Sequence, residues 1–177
     1  MNQILFDFYK LNCGKQIETT FFRLSESSFQ HSILKKINKL NIEDIVPSYI
    51  SSYAHKLAKY ANVYVIGRKG IKDFNAKTDE IIGLIAFYTN NIQSRHGFIS
   101  IIIVEKNQQG QGFGRALVEL AKENAIASGM CTLGINVHKE NDNAQKFYRK
   151  MGFTIRKELN TEFELEMLLQ QHNGQQT

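Results

Sequence analysis

Three glycines at alternate positions are the feature of this sequence that most directly suggests chemistry. Gly110, Gly112 and Gly114 follow a β-branched run at residues 98–104 and precede a stretch of helical periodicity at residues 113–125. The first N–H groups of a helix have no partners within it and lie at the positive end of its dipole. Glycines remove the side chains that would keep an anion away from those groups. The stretch therefore predicts a loop that binds a phosphate or pyrophosphate.

Two familiar phosphate-binding loops do not fit this spacing. A P-loop requires Gly-Lys-Ser/Thr at the start of its helix, where this chain has Gly114, Arg115 and Ala116. A dinucleotide-binding loop requires G-x-G-x-x-G, and Arg115 or Leu117 stands where its last glycine belongs. Both alternatives are excluded. Arg115 itself could contact a phosphate of the ligand or pair with Glu119 one helical turn later.

A second segment with a regular pattern of residue types begins at Asn141, whose side-chain oxygen can cap a helix. Ala144, Phe147, Tyr148 and Met151 lie on one stripe of that helix. Tyr148 is a candidate acid, because a phenol with a pKa of ~10 can donate a proton while it stays neutral at physiological pH. Position on the stripe alone favours a core aromatic residue instead, by about two to one.

Together the two segments resemble the GNAT superfamily of N-acetyltransferases. The loop reads Gln109-x-x-Gly112-x-Gly114 and resembles the acetyl-CoA loop of that family, Q/R-x-x-G-x-G/A. Residues 141–153 resemble the family's segment N-x-x-A-x-x-F-Y-x-K-x-G-F. The resemblance is close over residues 80–169 and looser before them. It implies an enzyme that uses acetyl-CoA as its acetyl donor and needs no metal.

The resemblance also implies roles for individual residues. Tyr148 would protonate the sulfur of coenzyme A, which favours a catalytic role over a core one. Main-chain groups of Ile102 and Val104 would pair with the pantetheine amides. The strands that end at Val104 and His138 would diverge and leave a slot for the pantetheine arm. The residues expected to contact the cosubstrate are Ile102, Val104, Gln109, Gly110, Gln111, Gly112, Phe113, Gly114, Arg115 and Asn141.

The residue that would accept the proton of the amine is less clearly indicated. Many members of the family place a carboxylate early in the strand that here runs from Phe98 to Val104, and this strand has none. His138, at the end of the next strand, is the first candidate, and His96, just before the strand, is the second. An imidazole with a pKa of ~6.5 is suited to accept a proton near neutral pH. A histidine is more often structural, and a water relay or an already neutral amine could serve instead.

The periodicity of the rest of the chain predicts an α+β domain. Strands are predicted at residues 62–67, 81–88, 98–104, 131–138, 153–156 and 163–169, and helices at 29–40, 49–60, 113–125 and 141–151. The β-branched stretch 17–24 favours a further strand. The resemblance implies the same fold, a mixed sheet of about six to seven strands with helices on both faces. Residues 1–177 are predicted to form one domain, with a disordered tail at 170–177.

Composition limits the setting and the partners of the protein. The chain has 177 residues, a net charge of +5 and two cysteines, Cys13 and Cys131. It has no apolar run of membrane-spanning length, and its start lacks the pattern of a signal peptide. We therefore expect a cytoplasmic protein without a disulfide framework and without a membrane partner. Its basic residues are scattered, so a mildly basic surface is favoured over a nucleic-acid interface.

The sequence as a whole predicts direct transfer of an acetyl group to a primary amine within a ternary complex. The regions that the resemblance assigns to the acceptor, residues 29–60 and 88–96, hold four tyrosines and few acids. This favours a small acceptor such as an amino sugar or an amino acid over a polyamine. A protein N-terminus or lysine is the alternative acceptor, and a non-catalytic acyl-CoA-binding module is the alternative function. A monomer or a homodimer is expected.

Overall fold

The computed structural model of the chain describes residues 19–23, 50–68 and 81–169, which contain seven strands and three α-helices. The strands are β1 (Thr19–Arg23), β2 (Asn62–Arg68), β3 (Ile81–Tyr88), β4 (His96–Val104), β5 (Thr132–His138), β6 (Thr154–Glu158) and β7 (Glu162–Leu168). The helices are α1 (Ile50–Tyr60), α2 (Phe113–Ala127) and α3 (Asp142–Lys150). A 3-10 helix, Lys106–Gln108, follows β4.

The strands form a mixed sheet in the order β1-β2-β3-β4-β5-β7-β6. β4 and β5 are parallel, and their register extends from His96 opposite Thr132 to Ile99 opposite Ile135. The pairs β1–β2, β5–β7 and β6–β7 are antiparallel. The parallel pair is joined through α2, because parallel neighbours require a crossover connection. These features confirm the predicted fold class.

The chain groups into two compact units, and buried apolar side chains occur in both. The described residues up to Ala86 and the stretch Ile101–Leu117 belong to the first unit, which includes the glycine-rich loop. Phe87–Ser100 and the residues from Val118 onward belong to the second, which includes β5, β6, β7 and α3. Fully buried side chains include Leu57, Ile66, Leu84 and Leu117 in the first unit and Leu120, Leu133 and Phe153 in the second. Each contributes about 1.5–3 kcal/mol by leaving water.

In the second unit, one face of the strand β5 is buried and the other face is polar. Leu133, Ile135 and Val137 are buried, whereas Asn136 and His138 between and after them are exposed. This follows from the two-residue period of a strand. Directly opposed residues share a face, so the partners on β7 extend the same pattern. We call this surface the polar face; its members on the two strands are Thr132, Asn136, His138, Glu162, Glu164 and Glu166.

The main boundary that differs from the sequence prediction is the start of β4. The strand begins at His96 rather than at Phe98. The carbonyl of Arg95 accepts the N–H groups of Cys131 at 2.7 Å and Thr132 at 3.4 Å, and these bonds start the pairing with β5 early. Arg95 has a positive φ of 51°, which turns the chain into the strand. The predicted helix at 29–40 and the predicted tail at 170–177 lie outside the described residues.

Candidate functional site

The glycine-rich loop connects the end of β4 to α2 within the first unit. Gly110 and Gly112 have φ values of 77° and 89°, which favour glycine over any residue with a Cβ. The N–H of Ala116 donates to the carbonyl of Gly112 at 3.0 Å, so Gly112 caps the helix that begins at Phe113. Helix geometry leaves the N–H groups of residues 113–115 without intrahelical partners. The loop thus presents three donors at the positive end of a fifteen-residue helix.

Two glutamine side chains hold the loop in this shape. The Nε2 group of Gln109 donates to the carbonyl of Val104 at 3.2 Å, and that of Gln111 donates to the carbonyl of Asn107 at 3.2 Å. Both amides are therefore engaged with the backbone of the loop. Ile102 and Val104 lie in the last residues of β4, and their side chains are half-buried. Contacts of these residues with a cosubstrate remain predictions.

Phe113 and Arg115 occupy opposite environments at the start of α2. The side chain of Phe113 is 1% exposed and anchors the first turn in the core. The side chain of Arg115 is exposed. Glu119, which the sequence offered as an alternative partner of Arg115, pairs with Lys122 at 3.4 Å. The interpretation of Arg115 as a phosphate contact is therefore preferred, and it stays a prediction.

Tyr148 lies on α3 in the second unit with a buried ring. The ring meets Phe147 edge-on at a centroid distance of 5.0 Å and Phe153 at 5.5 Å. No residue in the described part of the chain accepts a hydrogen bond from its hydroxyl, and no buried side-chain polar atom there lacks a partner. Burial raises the pKa of Tyr148, so the phenol stays protonated and can donate to a ligand.

Two amide side chains fix the start of α3. The Oδ1 atom of Asn141 accepts the N–H of Ala144 at 3.0 Å, which confirms the predicted N-cap. Gln145 is buried, and its Nε2 group donates to the carbonyl of Lys139 at 2.7 Å. The sequence did not single out Gln145, because a long polar side chain within a helix gives no sign of burial. A contact of Asn141 with the cosubstrate remains a prediction.

His138 lies at the exposed end of β5 on the polar face. Its side chain is 57% exposed, and its Nε2 atom is 3.5 Å from Oε1 of Glu162. The other oxygen of Glu162 accepts a hydrogen bond from Nδ2 of Asn136 at 3.1 Å. Glu162 thus lies between the amide and the imidazole, and it holds both side chains near the surface of the sheet.

His96 lies at the opposite end of the polar face and is more enclosed. Its side chain is 26% exposed, and its Nδ1 atom is 3.2 Å from Oε2 of Glu166 and 2.7 Å from Oγ1 of Thr132. Arg156 on β6 approaches the same carboxylate oxygen at 3.7 Å and also contacts Glu164. The sequence predicts the strand β7 but does not indicate which residues its glutamates contact. Their pairing with particular histidines depends on strand register, which the sequence does not state.

The described residues contain neither a candidate membrane-spanning helix nor a candidate metal cluster. Within residues 19–23, 50–68 and 81–169, no helix combines the length and the apolar character that a membrane crossing needs. The same residues contain no group of three or more His, Cys, Asp or Glu side chains that could hold a metal ion. Cys131 is a free thiol and is half-buried.

Comparison with known proteins identifies the family. Residues 41–153, well over half of the chain, match the model of the acetyltransferase (GNAT) family. The chain belongs to this family. Membership of this family confirms the predicted acetyl donor, acetyl-CoA.

A curated relative matches a shorter stretch of the chain. It is the chloroplastic GCN5-related N-acetyltransferase 6 of Arabidopsis thaliana, 37% identical over 62 residues. The match covers 35% of this chain and 22% of that protein. The activity, substrates and location of that whole protein therefore do not transfer directly.

Solved GNAT structures match most of the chain at low sequence identity. The NatC complex bound to Gag peptide and CoA matches 86% of this chain and 99% of that chain, with a TM-score of 0.67 and 22% identity. The IAA acetyltransferase of Bacillus cereus matches 86% and 100%, with a TM-score of 0.63 and 19% identity. PaiA of Thermoplasma acidophilum, in complex with coenzyme A, matches 85% and 99%, with a TM-score of 0.60 and 15% identity. These matches establish the shared fold.

Proposed function

We propose that the protein is an N-acetyltransferase that transfers the acetyl group of acetyl-CoA directly to a primary amine in a ternary complex. The observation that carries the proposal is the hydroxyl of Tyr148, which is protonated and has no hydrogen-bond partner among the described residues, on a ring packed against Phe147 and Phe153. A module that only bound acetyl-CoA would need no such donor. Family membership and the shape of the loop support the same reading.

The loop binds the cosubstrate in this proposal. The N–H groups of residues 113–115 hold the diphosphate, and the exposed guanidinium of Arg115 contacts a phosphate oxygen. Main-chain groups of Ile102 and Val104 pair with the pantetheine amides. Asn141, whose Oδ1 atom caps α3, contacts the pantetheine or phosphate region through its Nδ2 group. Gln109 and Gln111 keep the loop in shape for this role.

Transfer then needs two proton movements. His138 takes a proton from the ammonium group of the acceptor, and the neutral nitrogen attacks the carbonyl carbon of the thioester. A C–N bond forms, the C–S bond breaks, and the hydroxyl of Tyr148 gives its proton to the departing thiolate. The proton released from nitrogen during attack restores the phenol through solvent. Positioning of the two substrates supplies much of the rate, because effective molarities can reach on the order of 10⁵ M.

We prefer His138 to His96 as the proton acceptor because of exposure. The His138 side chain is 57% exposed, so it can meet an incoming amine and return protons to water. Glu162 lies beside its Nε2 atom and stabilises the imidazolium that forms. His96 is half as exposed, and its Nδ1 atom is occupied by Thr132 and Glu166.

The proposed acceptor is a small amine such as an amino sugar or an amino acid, in a cytoplasmic monomer or homodimer. A protein N-terminus or lysine is the second candidate. One specific observation favours it: the NatC structure, whose fold this chain shares, has a peptide bound together with CoA. The two candidates differ in the size of the molecule that must approach the polar face.

A panel of amines tests the proposal. Release of free thiol from acetyl-CoA is measured with glucosamine, single amino acids, spermidine and short peptides with a free N-terminus or an internal lysine. We expect thiol release with a small amine at a higher kcat/KM than with any peptide. Release with peptides alone would support the second candidate. Tight binding of acetyl-CoA without release for any amine would indicate a non-catalytic module and refute the proposal.

A further inference from the structure

Gln145 on α3 has a buried amide to which the proposed reaction assigns no role. Of the side chains that the structure describes, no other amide or charged group is buried, and Gln145 is 8% exposed. It lies three positions before Tyr148, so the two buried residues of α3 are on one side of the helix. Burial of an amide costs free energy unless hydrogen bonds replace those made to water. An apolar side chain would avoid this cost, so the hydrogen bonds distinguish Gln145 from an ordinary core residue.

The amide of Gln145 holds the turn between β5 and α3. Its Nε2 group donates to the carbonyl of Lys139 at 2.7 Å and, over a longer distance of 3.5 Å, to the carbonyl of His138. Carbonyl groups only accept hydrogen bonds, so the Nε2 end of the amide must face them. The backbone N–H of Gln145 donates to the carbonyl of Asn141 at 3.0 Å. We call residues 138–141 the β5–α3 turn, and Gln145 bonds to its first, second and last residues.

The hairpin of β6 and β7 holds the same turn through other atoms. The N–H of Lys139 donates to the carbonyl of Thr161 at 3.0 Å. The Nζ atom of Lys139 lies 2.7 Å from Oε1 of Glu158 and 5.5 Å from the centre of the Phe163 ring. The β5–α3 turn is therefore attached both to the hairpin and to α3, and Gln145 supplies side-chain contacts from α3. All of these residues belong to the second unit.

The imidazole of His138 depends on this turn for its position. His138 is the last residue of β5 and the first of the turn. Its side chain is 57% exposed, so little packing fixes the ring, and Glu162 lies 3.5 Å from its Nε2 atom. A shift of the backbone at His138 moves the ring with it, because both are attached to the same Cα atom. A displacement of about 1 Å at a reacting group can lower a rate by as much as ~100-fold.

We propose that Gln145 is a positioning residue of the acetyl transfer, because its amide holds the β5–α3 turn where the imidazole of His138 meets the acceptor amine. This inference rests on the proposed function, in which His138 takes the proton of that amine. Gln145 acts through the backbone of the turn and contacts neither substrate. Its loss should lower kcat more than it weakens the binding of acetyl-CoA, which depends on the glycine-rich loop.

Gln145→Met removes the amide and keeps nearly the same length and volume. We expect kcat to fall roughly fivefold. Added imidazole should restore part of this loss, because it accepts the proton in place of the displaced ring. A variant that merely contained less folded protein would not respond to imidazole in this way.

Met130→Ala is the matched control for a loss of stability. Met130 is 1% exposed and lies just before the end of β5 opposite to His138, so its truncation lowers the melting temperature and leaves the β5–α3 turn intact. Measured well below the melting temperatures of all the variants, kcat of Met130→Ala should equal that of the wild-type protein. Imidazole should not raise it.

A double-mutant cycle tests whether Gln145 acts through His138. In a His138→Gln background, Gln145→Met should lower kcat little further, because no imidazole is left to position. Effects that simply multiply would mean that Gln145 acts independently of His138, and the inference would be wrong. Gln145→Asn keeps the amide but shortens its reach by one methylene group, and it provides the same test if Gln145→Met does not fold. If neither variant folds, Gln145 serves folding and the inference is wrong.

The remaining outcomes separate this inference from the proposed function. Equal kcat in Gln145→Met and Met130→Ala, or a loss that imidazole does not relieve, makes Gln145 a structural residue while acetyl transfer stands. An unchanged kcat in His138→Gln also overturns the inference and leaves the transfer with a different proton acceptor. If acetyl-CoA binds and no amine of the panel is acetylated, the proposed function and this inference fail together.

Discussion

The glycine-rich loop of the first unit and the polar face of the second unit offer two different kinds of chemistry. The loop presents backbone N–H groups, and its own side chains are anchored elsewhere: Phe113 is buried, and Gln109 bonds to the carbonyl of Val104. On the polar face the backbone groups take part in strand pairing, so any chemistry there depends on side chains such as those of His96 and His138. The first region suits anion binding, and the second suits proton transfer and contact with the acceptor amine.

The two regions should tolerate substitutions differently. A backbone site depends on the conformation of a few consecutive residues, so any side chain added there obstructs the ligand directly. A side-chain site depends on pairs such as Glu162 with His138, so removal of one partner weakens a function without abolishing the fold. Substitutions in the loop should therefore affect cosubstrate affinity, and those on the polar face should affect turnover and acceptor choice.

The largest effect is expected at Gly112. Gly112→Asp places a carboxylate among the N–H groups proposed to hold the diphosphate, at a φ of 89°. Repulsion between like charges costs several kcal/mol, so the affinity for acetyl-CoA should fall on the order of 1,000-fold. Isothermal titration with acetyl-CoA or coenzyme A measures the loss.

Two companion variants separate repulsion from strain at Gly112. Gly112→Asn has the same shape without the charge and should lose less affinity than Gly112→Asp. Gly129→Asn places an equal side chain at a φ of 76° beyond the other end of α2, where a Cβ meets nothing within 4 Å. It should bind acetyl-CoA normally. Equal losses in all three variants would show that backbone strain, and not charge at the loop, controls binding.

The next largest effect is expected at Tyr148, which lies in the second unit and is proposed to donate a proton to the departing thiolate. Tyr148→Phe keeps the edge-on packing against Phe147 and Phe153 and removes only the hydroxyl. We expect kcat to fall roughly 100-fold through loss of the proton donor. The affinity for acetyl-CoA and the melting temperature should not change. Unaltered turnover would assign Tyr148 to the core alone.

The pH dependence of turnover follows from the same burial. Burial raises the pKa of Tyr148 above the ordinary value of 10.0, so the protonated donor is present at lower pH and is lost only as pH rises through the raised pKa. The wild-type protein should therefore show no decline in kcat from this group below pH 10. A decline near neutral pH that disappears in Tyr148→Phe would contradict this assignment.

Prediction from sequence succeeded where the signal is local and was incomplete where it depends on register. The loop, α2 and the cap at Asn141 are each encoded within a few consecutive residues, and the structure confirms their positions. His96 with Glu166 brings together residues seventy positions apart through the pairing of β4, β5 and β7. The β-branched runs predicted those strands, but no local feature gives their order in the sheet.

Gly134 shows the same limit of sequence-based prediction at a single residue. In sequence it is an isolated glycine within a strand, which suggests a bulge or a close approach without naming the neighbour. The structure supplies that neighbour, the imidazole of His96. Gln145 is a second example. Its buried side chain donates to the carbonyl of Lys139, just before α3, and helical periodicity does not indicate such a contact.

A smaller effect is expected at His138, which tests whether a side chain of the polar face accepts the proton of the amine. His138→Gln should lower kcat about tenfold, and added imidazole should restore part of the loss because the site is exposed. Glu162→Gln should lower kcat less, since it acts through the ring of His138. Glu140→Gln, an exposed neighbour, serves as the control. Equal rates in His138→Gln and Glu140→Gln would remove His138 from the reaction.

The smallest effect is expected at Asn141, which caps α3 and is proposed to contact the cosubstrate. Asn141→Ala removes the acceptor of the Ala144 N–H, so the free energy of unfolding should fall by ~1 kcal/mol and the melting temperature by ~2–4 °C. Asn143→Ala, exposed in the first turn, should not change it.

Asn141→Asp distinguishes the two roles, because a carboxylate keeps the cap and repels phosphate. A normal melting temperature with weaker binding of acetyl-CoA would place Asn141 at the cosubstrate. If the melting temperature and the affinity for acetyl-CoA are both normal, Asn141 acts only as the cap of α3 and does not contact the cosubstrate.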